Sequence, residues 1–345
     1  MLPRSFFRSV VAVGAGALLA CGASAPSTFV PRRVSYAPYD APTGGSGNDA
    51  GPDAAPVPRA ILDLPMPQTL YAVSDIHGGY DRLVALLSQY GIMQKEARPP
   101  EQAAWNGGSS TLLVVGDAID KGPASLDVLT LLQSLQTSAS GAGGRVVVLL
   151  GNHEAELLAD PENAKAAKDG GIAVELRARG ISPSAFARGE TPLGAWLLTR
   201  PVAARVGSWF FAHAGDTHGL SLAELDQTIR TAAARGGFGD PAFVGTDSIL
   251  ESRGWYGADG AITQRNAAAL GVRHIVFGHD PNALGPRGAI AAVYGGTLYR
   301  IDCGLSPYVD DSKGRLIRVR AEGPYEVVES LAPGGDVTVL SRTAQ

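Results

Sequence analysis

The sequence has few cysteines, no long basic run and no long apolar run. Its two cysteines cannot form the disulfide framework of a small secreted domain. The longest run of basic residues is the pair Arg32-Arg33 and the net charge is -4, which argues against a nucleic-acid-binding surface. No apolar stretch reaches the ~20 residues that a membrane-spanning helix needs. The composition, 45% hydrophobic and 18% charged, is that of a globular protein.

Residues 1–21 are predicted to be a lipoprotein signal peptide. Arg4 and Arg8 precede an uncharged apolar run, residues 10–20, that is too short to span a bilayer. The run ends in Leu-Leu-Ala-Cys, which resembles the lipobox of bacterial lipoproteins, in which the cysteine receives the lipid. We therefore expect an exported protein on the periplasmic or cell-surface side, with its only membrane contact through a lipid on Cys21. A cleaved signal without lipidation is the alternative.

Beyond the signal peptide, the chain is predicted to consist of a linker and one domain. Residues 22–67 are rich in Pro, Gly, Ala and Ser and show no helical or strand periodicity, which is typical of a linker. Between residues 68 and 345, apolar runs that end in polar residues alternate with helical patterns, and the last part of the chain alternates like antiparallel strands. This predicts an α/β fold of two mixed β-sheets flanked by helices, with a helical cap at about residues 157–200.

Polar clusters follow five of the predicted strands, at the sheet edge where ligands collect in such folds. They contain four of the six histidines, and in chain order they read SDIHGGY, GDAIDKGP, GNHE, AHAG and FGHDP. A single histidine after a strand is usually structural, but five such clusters are hard to explain in that way. Carboxylates, imidazoles and one amide suit a pair of divalent metal ions, and the absence of cysteine argues against a closed structural zinc site.

The five clusters resemble, in the same order, the signature blocks of the phosphoprotein phosphatase branch of the calcineurin-like metallophosphoesterases. The segments WLLTRPVAARVGSWFFAHAG, SRGWYG and GGTLYRIDCGLS are most similar to the Shewanella-like protein phosphatases of that branch. The resemblance implies the calcineurin-like metallophosphatase fold and two divalent metal ions, with manganese expected and iron or zinc compatible with the same ligands. It implies that one ion is held by Asp75, His77 and Asp117, and the other by Asp117, Asn152, His213 and His279.

The resemblance also implies roles for residues around the metals. His153 would be the general acid that protonates the leaving group, and Asp120 would orient its ring. Arg253, Lys121 and Asn152 would bind the substrate phosphate. Lys121 stands where the family has arginine, and its compact ammonium cannot make the two-pronged contact of a guanidinium.

The function that these residues predict is an exported phosphomonoesterase acting on phosphoproteins or phosphopeptides, at serine, threonine or tyrosine. The resemblance implies direct attack by a metal-bridging hydroxide, with no protein nucleophile. One alternative is a diadenosine-polyphosphate or nucleotide hydrolase, which shares the same blocks. Another is a catalytically weak lipoprotein that keeps the scaffold for binding at the cell surface. Cys303 lies in a strand-like run and is predicted to be a buried, unreactive thiol.

Overall fold

Twelve β-strands form the centre of the computed structural model, which describes residues 29–36, 59–95 and 98–344. The signal peptide, with Cys21, lies outside the described residues. The strands are β1 (Ile61–Leu64), β2 (Thr69–Val73), β3 (Thr111–Val115), β4 (Arg145–Leu149), β5 (Ala203–Val206), β6 (Trp209–Ala212), β7 (His274–Phe277), β8 (Ala291–Val293), β9 (Leu298–Arg300), β10 (Leu316–Glu322), β11 (Tyr325–Leu331) and β12 (Val337–Ala344).

The strands make two six-stranded mixed sheets. One has the order β12-β11-β10-β2-β3-β4, in which β2, β3 and β4 run parallel and β10 to β12 antiparallel. The other has the order β1-β5-β6-β7-β9-β8. All five residues of β3 are buried, as expected for a central parallel strand covered on both faces. A single apolar layer that includes Leu113 and Val319 of the first sheet and Trp209 and Tyr299 of the second packs the sheets together.

Helices cover the outer faces of the sheets, so the predicted α/β fold class is confirmed. One of them begins with a reciprocal capping box between Ser221 and Glu224. No helix in the described part of the chain combines the length and apolar character needed to cross a membrane. The helices are α1 (Tyr80–Gln89), α2 (Ser125–Gly141), α3 (Asn152–Ala159), α4 (Ala164–Ala167), α5 (Ile172–Ala178), α6 (Pro183–Ala187), α7 (Pro192–Leu198), α8 (Leu222–Gly236), α9 (Pro241–Val244) and α10 (Ala261–Leu270). The segment predicted as a helical cap, residues 157–200, contains the end of α3 and all of α4 to α7.

The predicted boundary between linker and domain is wrong, because part of residues 22–67 belongs to the fold. Strand β1 lies inside this range and pairs in parallel with β5, and its Ile61 is fully buried. Further upstream, Tyr36 is buried and its hydroxyl donates a hydrogen bond to the carbonyl oxygen of Arg200, at 3.3 Å. Ile61 and Tyr36 are thus buried against segments far away in sequence, which the Pro- and Gly-rich composition of the stretch conceals.

Candidate active site

The loops after five strands bring all six predicted metal ligands to one place. Each of these loops leaves the end of a buried strand, three from the first sheet and two from the second, so the ends of both sheets contribute to the site. All six side chains are buried, and they are Asp75 and His77 after β2, Asp117 after β3, Asn152 after β4, His213 after β6 and His279 after β7.

Most of the site residues have a left-handed backbone conformation, which residues other than glycine rarely adopt. Six residues of the predicted site have φ between +47° and +64°, where a side chain crowds its own backbone and costs on the order of 1–3 kcal/mol. Hydrogen bonds between loops hold this conformation, for example from the Asp75 N–H to the Gly116 carbonyl oxygen at 3.1 Å. The six residues are Asp75, His77, Asp117, Asp120, Lys121 and His279.

Two glycines allow the metal-binding loops to approach each other. A Cβ on Gly116, which has φ +77°, would lie 2.6 Å from the Cα of Gly151. A Cβ on Gly151 would lie 2.3 Å from Oδ1 of Asp117. Neither position can carry a side chain without separating the ligands, which explains the glycine that precedes the polar residues in both blocks.

The three ligand histidines each have one ring nitrogen fixed by a backbone carbonyl. Nδ1 of His77 and Nδ1 of His213 each lie 2.9 Å from a carbonyl oxygen, and Nε2 of His279 lies 3.1 Å from another. A carbonyl oxygen only accepts hydrogen bonds, so these nitrogens carry the proton. The other nitrogen of each ring is left with a lone pair, which is the state in which histidine binds a metal ion.

The lone pairs converge, and this is what makes the donor set fit a metal. Nε2 of His213 lies 3.2 Å from Oδ1 of Asp117 and 3.1 Å from Oδ1 of Asn152. Three acceptor atoms at such distances repel one another unless a cation lies between them. Asp117, His213 and His279 each offer a ligand atom within 4.8 Å of the others. This group therefore suits one divalent ion, with Asn152 as a further ligand.

Asp117 presents its second oxygen to a different group of ligands. Its Oδ2 lies 3.5 Å from Nε2 of His77, and the same nitrogen lies 3.8 Å from Oδ1 of Asp75. Because Oδ1 faces His213 and Oδ2 faces His77, the Asp117 carboxylate has the position of a bridge between two ions. The structure thus brings together both predicted ligand sets around a shared carboxylate.

The pKa shifts of the buried ligands also indicate a site that favours a cation. Burial tends to raise the pKa of Asp117, but the neighbouring imidazoles outweigh it and hold this pKa well below its usual value. Burial opposes protonation of His213, but the carboxylates of Asp117 and Asp75 overcome it and raise the pKa of His213 to about 10. A proton and a metal ion therefore compete for the same lone pair of His213.

The predicted acid and its orienting partner lie next to the metal ligands. Nδ1 of His153 donates to Oδ2 of Asp120 at 2.7 Å, and Nε2 of His153 lies 3.8 Å from Oδ2 of Asp117. The other oxygen of Asp120 accepts a hydrogen bond from the backbone N–H of Ile172, at the start of α5, at 2.8 Å. Both carboxylate oxygens are thus occupied, so the ring of His153 is fixed with Nε2 toward the centre.

Cationic side chains line a cavity of about 260 Å³ above the ligands. Nζ of Lys121 lies 2.9 Å from Nε2 of His77, directly at the metal ligands. Arg253 is half-exposed and lies 3.5 Å from a carboxylate oxygen of Asp280, so it reaches the cavity from its rim. The cavity suits a small anion such as a phosphate group.

Three further residues lie at the site, and none of them had a specific role predicted from the sequence, although Glu154 was expected to support the ligands next to it. Glu154 accepts hydrogen bonds from four backbone N–H groups of the loops after β3 and β4, at 2.8–3.2 Å. Burial and the nearby Asp117 raise the pKa of Glu154 to about 7. Arg287 and Asp302 also line the cavity. Glu154 and Asp302 follow strands, as the ligands do, which is a usable signal, whereas Arg287 lies in a loop with no motif.

Comparison with known proteins identifies relatives of this chain. The family model for calcineurin-like phosphoesterases matches residues 69–283, more than half of the chain. Shewanella-like protein phosphatase 2 of Arabidopsis thaliana is 33% identical over 88 residues, which are 26% of this chain and 21% of that protein. The symmetrical bis(5'-nucleosyl)-tetraphosphatase of Enterobacter sp. (strain 638) is 38% identical over 89 residues, 26% of this chain and 24% of that protein. The chain thus spans about a quarter of the length of these curated relatives.

A similar fold occurs among solved structures. The cold-active protein-tyrosine phosphatase of a psychrophilic Shewanella species superposes with a TM-score of 0.67 at 20% identity, covering 81% of this chain and 82% of that one. At this identity the similarity supports the fold and not the substrate. The family model, the Shewanella-like relative and the bridged arrangement of ligands agree with the resemblance that the motifs predicted. The chain belongs to the calcineurin-like phosphoesterase family.

Proposed function

We propose that this protein is a metal-dependent phosphatase that hydrolyses phosphate monoesters of phosphoproteins or phosphopeptides. The observation that carries the proposal is the Asp117 carboxylate, whose two oxygens face two separate ligand groups beneath one cation-lined cavity. This arrangement suits a pair of ions that together hold a phosphate group. A single structural metal ion would require neither the bridging carboxylate nor the cavity.

Two divalent ions held by these ligands would supply Lewis acidity, which would activate a water molecule and neutralise charge on the phosphate. The residues of the chain do the rest. Arg253 and Lys121 bind and orient the phosphate oxygens. The Asn152 amide, predicted from the resemblance to add a phosphate contact, instead has its nitrogen engaged by the carboxylates of Glu251 and Glu156. His153 delivers a proton from Nε2 to the leaving oxygen, and the Asp120 carboxylate stabilises the protonated ring before transfer.

A second cavity next to the first supports a peptide-sized substrate. It has a volume of about 800 Å³ and shares Lys121 and Val309 with the cation-lined cavity. Its wall includes the exposed side chains of Val174 and Tyr308. An apolar wall beside a phosphate site suits the organic part of a phosphorylated side chain, including the ring of phosphotyrosine. The Shewanella neighbour that shares the fold is named as a tyrosine phosphatase.

A dinucleoside-polyphosphate hydrolase is the second candidate. The observation in its favour is the 38% identity over 89 residues with the Enterobacter tetraphosphatase. Three cationic side chains, Lys121, Arg253 and Arg287, line the cavity, and this number also suits more than one phosphate group.

One experiment separates these functions. The full-length protein, reconstituted with manganese, is assayed on peptides of one sequence that carry phosphotyrosine, phosphoserine or phosphothreonine, and on diadenosine tetraphosphate. We expect phosphate release from a phosphopeptide, and its loss in Asp117→Asn. Faster cleavage of diadenosine tetraphosphate would favour the second candidate. A protein that binds two manganese ions and hydrolyses none of these compounds would contradict both and indicate a binding protein.

We also propose that the protein is an exported lipoprotein, on the basis of residues 1–21. Mass spectrometry of the membrane-extracted protein tests this directly. We expect a mature N-terminus at Cys21 with acyl chains attached. A mature N-terminus at another residue, without lipid, would contradict the proposal.

A further inference from the structure

Asn152 contacts two carboxylates outside the predicted site, and a lysine lies beside both of them. The amide nitrogen of Asn152 donates to Oε1 of Glu251 at 2.8 Å and to Oε1 of Glu156 at 3.3 Å. Nζ of Lys165 forms an ion pair with Glu156 and lies 3.4 Å from Oε1 of Glu251. The ammonium group lies beside both carboxylates and offsets the repulsion between them. The four side chains form one connected network, which we call the Asn152 network.

The two carboxylates determine which way the Asn152 amide points. An ionised carboxylate can only accept hydrogen bonds, so the amide nitrogen must face Glu251 and Glu156. The amide oxygen is then directed the other way, 3.1 Å from Nε2 of His213. A reversed amide would place its oxygen against two carboxylate oxygens and its nitrogen among the metal ligands. The network therefore selects the only orientation in which Asn152 can bind a metal ion.

Glu251 also contacts a second metal ligand. Its backbone carbonyl oxygen lies 3.1 Å from Nε2 of His279, and its Oε2 lies 3.7 Å from the same nitrogen. By holding the proton on Nε2, this carbonyl leaves Nδ1 of His279 free to bind metal. Glu251 thus touches two of the four residues assigned to the second ion, Asn152 and His279.

None of the three charged residues belongs to the motif clusters, and they come from separate parts of the fold. Glu156 lies on α3, one turn after Asn152, Lys165 lies on α4, and Glu251 lies between α9 and α10. About four-fifths of each carboxylate side chain is shielded from solvent. Glu156 and Lys165 alone would form an ordinary solvated ion pair between α3 and α4. The addition of Glu251 and the shielding of both carboxylates distinguish the network from such a surface pair.

We propose that Glu251, supported by Glu156 and Lys165, is a positioning residue that orients the Asn152 amide and thereby sets the affinity of the second metal position. The inference rests on the proposed two-metal site, but not on the identity of the substrate. Residues that hold a metal ligand in place typically contribute about 10- to 100-fold to metal affinity. We expect a loss of this size at one of the two positions when the Glu251 side chain is removed.

The test is calorimetric titration of manganese into the metal-free, full-length protein, with no substrate present. Glu251→Ala should bind one equivalent as the wild type does and the other about 10- to 100-fold more weakly. Glu251→Gln retains an oxygen that can accept from Asn152, so it should lose less. Wild-type affinity for both equivalents in Glu251→Ala, or equal weakening of both, would overturn the proposal. If Glu251→Ala does not fold, Glu251→Gln and Lys165→Met decide by the same criterion.

A double-mutant cycle shows whether Glu251 acts through Asn152. Asn152→Ala should weaken the same equivalent, and adding Glu251→Ala to it should change the affinity by no more than about twofold. Equal losses from Glu251→Ala in both backgrounds would show that it acts by another route and would overturn the proposal. Glu162→Gln is the matched control, because Glu162 makes only a surface ion pair with Arg177. The affinity of this variant protein for manganese should equal that of the wild type.

The outcome is independent of the proposed phosphatase activity. A protein that binds two manganese ions but hydrolyses no phosphopeptide would contradict the proposed function and leave the titration result intact. Conversely, an active phosphatase whose Glu251→Ala variant keeps both affinities would contradict this inference alone.

Discussion

Replacing Asp120 by asparagine tests the proposed acid more sharply than removing the acid itself. The Asp120 carboxylate accepts two hydrogen bonds in a buried position, from Nδ1 of His153 at 2.7 Å and from the Ile172 N–H at 2.8 Å. An asparagine has one oxygen and one amide nitrogen, so it can accept only one of them. If the oxygen stays with Ile172, the amide nitrogen faces His153 and shifts the ring proton to Nε2. If it stays with His153, the Ile172 N–H loses its partner.

Both arrangements are unfavourable, the first for the acidity of His153 and the second for the stability of the fold. In the first, a neutral ring with its proton on Nε2 is a much weaker acid than a protonated ring stabilised by a carboxylate. In the second, a buried donor without a partner costs about 1–3 kcal/mol of stability. General acid catalysis typically contributes 10²–10⁴-fold. We therefore expect Asp120→Asn to lower kcat by roughly 10²-fold on an alkyl phosphate such as phosphoserine, and His153→Asn by more.

The assay compares substrates that differ only in the leaving group. A leaving group that is already acidic, such as 4-nitrophenol, needs no proton, so both variants should keep most of their activity on 4-nitrophenyl phosphate. Manganese content is measured in each variant to show that the metals remain bound. An equal loss on alkyl and aryl phosphates, at unchanged metal content, would refute the assignment of His153 as the acid.

Three further predictions concern other parts of the chain. Lys121→Ala should lower kcat/KM on a phosphopeptide by about 10- to 100-fold, whereas Lys121→Arg should retain activity, and an unchanged kcat/KM in Lys121→Ala would mean that Lys121 does not contact the phosphate. Burial raises the pKa of the Cys303 thiol to about 12, so iodoacetamide at pH 8 should modify Cys303 in the unfolded protein and not in the folded one, as peptide mass spectrometry can show. Deleting residues 1–60 should lower the free energy of unfolding by at least about 2 kcal/mol, because the buried Tyr36 is lost, while deleting residues 1–28 should leave thermal unfolding unchanged.

The metal-binding residues were predictable because their signal is local. Each lies in a short cluster directly after an apolar strand, and the order of the clusters resembles a family pattern. His77 and Asp117 could therefore be assigned without knowledge of their neighbours. The fold class follows from the same alternation of apolar runs and helical patterns, since strand ends and crossover helices leave periodic traces in the sequence.

The remaining features depend on contacts between residues far apart in sequence. Glu251 is 99 residues from Asn152, and nothing in its own neighbourhood indicates that it faces the amide. Strand β1 has only four residues, too few for an alternating pattern, and its pairing with β5 joins segments separated by about 140 residues. The direction of the Asn152 amide and the left-handed backbone of Asp117 arise from hydrogen bonds that only the folded chain makes.

The packing of residues 29–36 changes the distance at which a lipid anchor would hold the catalytic domain. A linker of residues 22–67 would let the domain sample a broad zone above the bilayer. The backbone N–H of Val34 instead donates to the carbonyl oxygen of Ala233, and Arg32 donates to that of Arg188. Only seven residues, 22–28, then lie between Cys21 and Phe29, and the eight Cα-to-Cα steps that join the two residues span at most about 30 Å. With a lipid on Cys21, the catalytic domain would therefore stay close to the membrane surface. It could reach substrates on the ectodomains of membrane proteins, but not substrates farther from the bilayer.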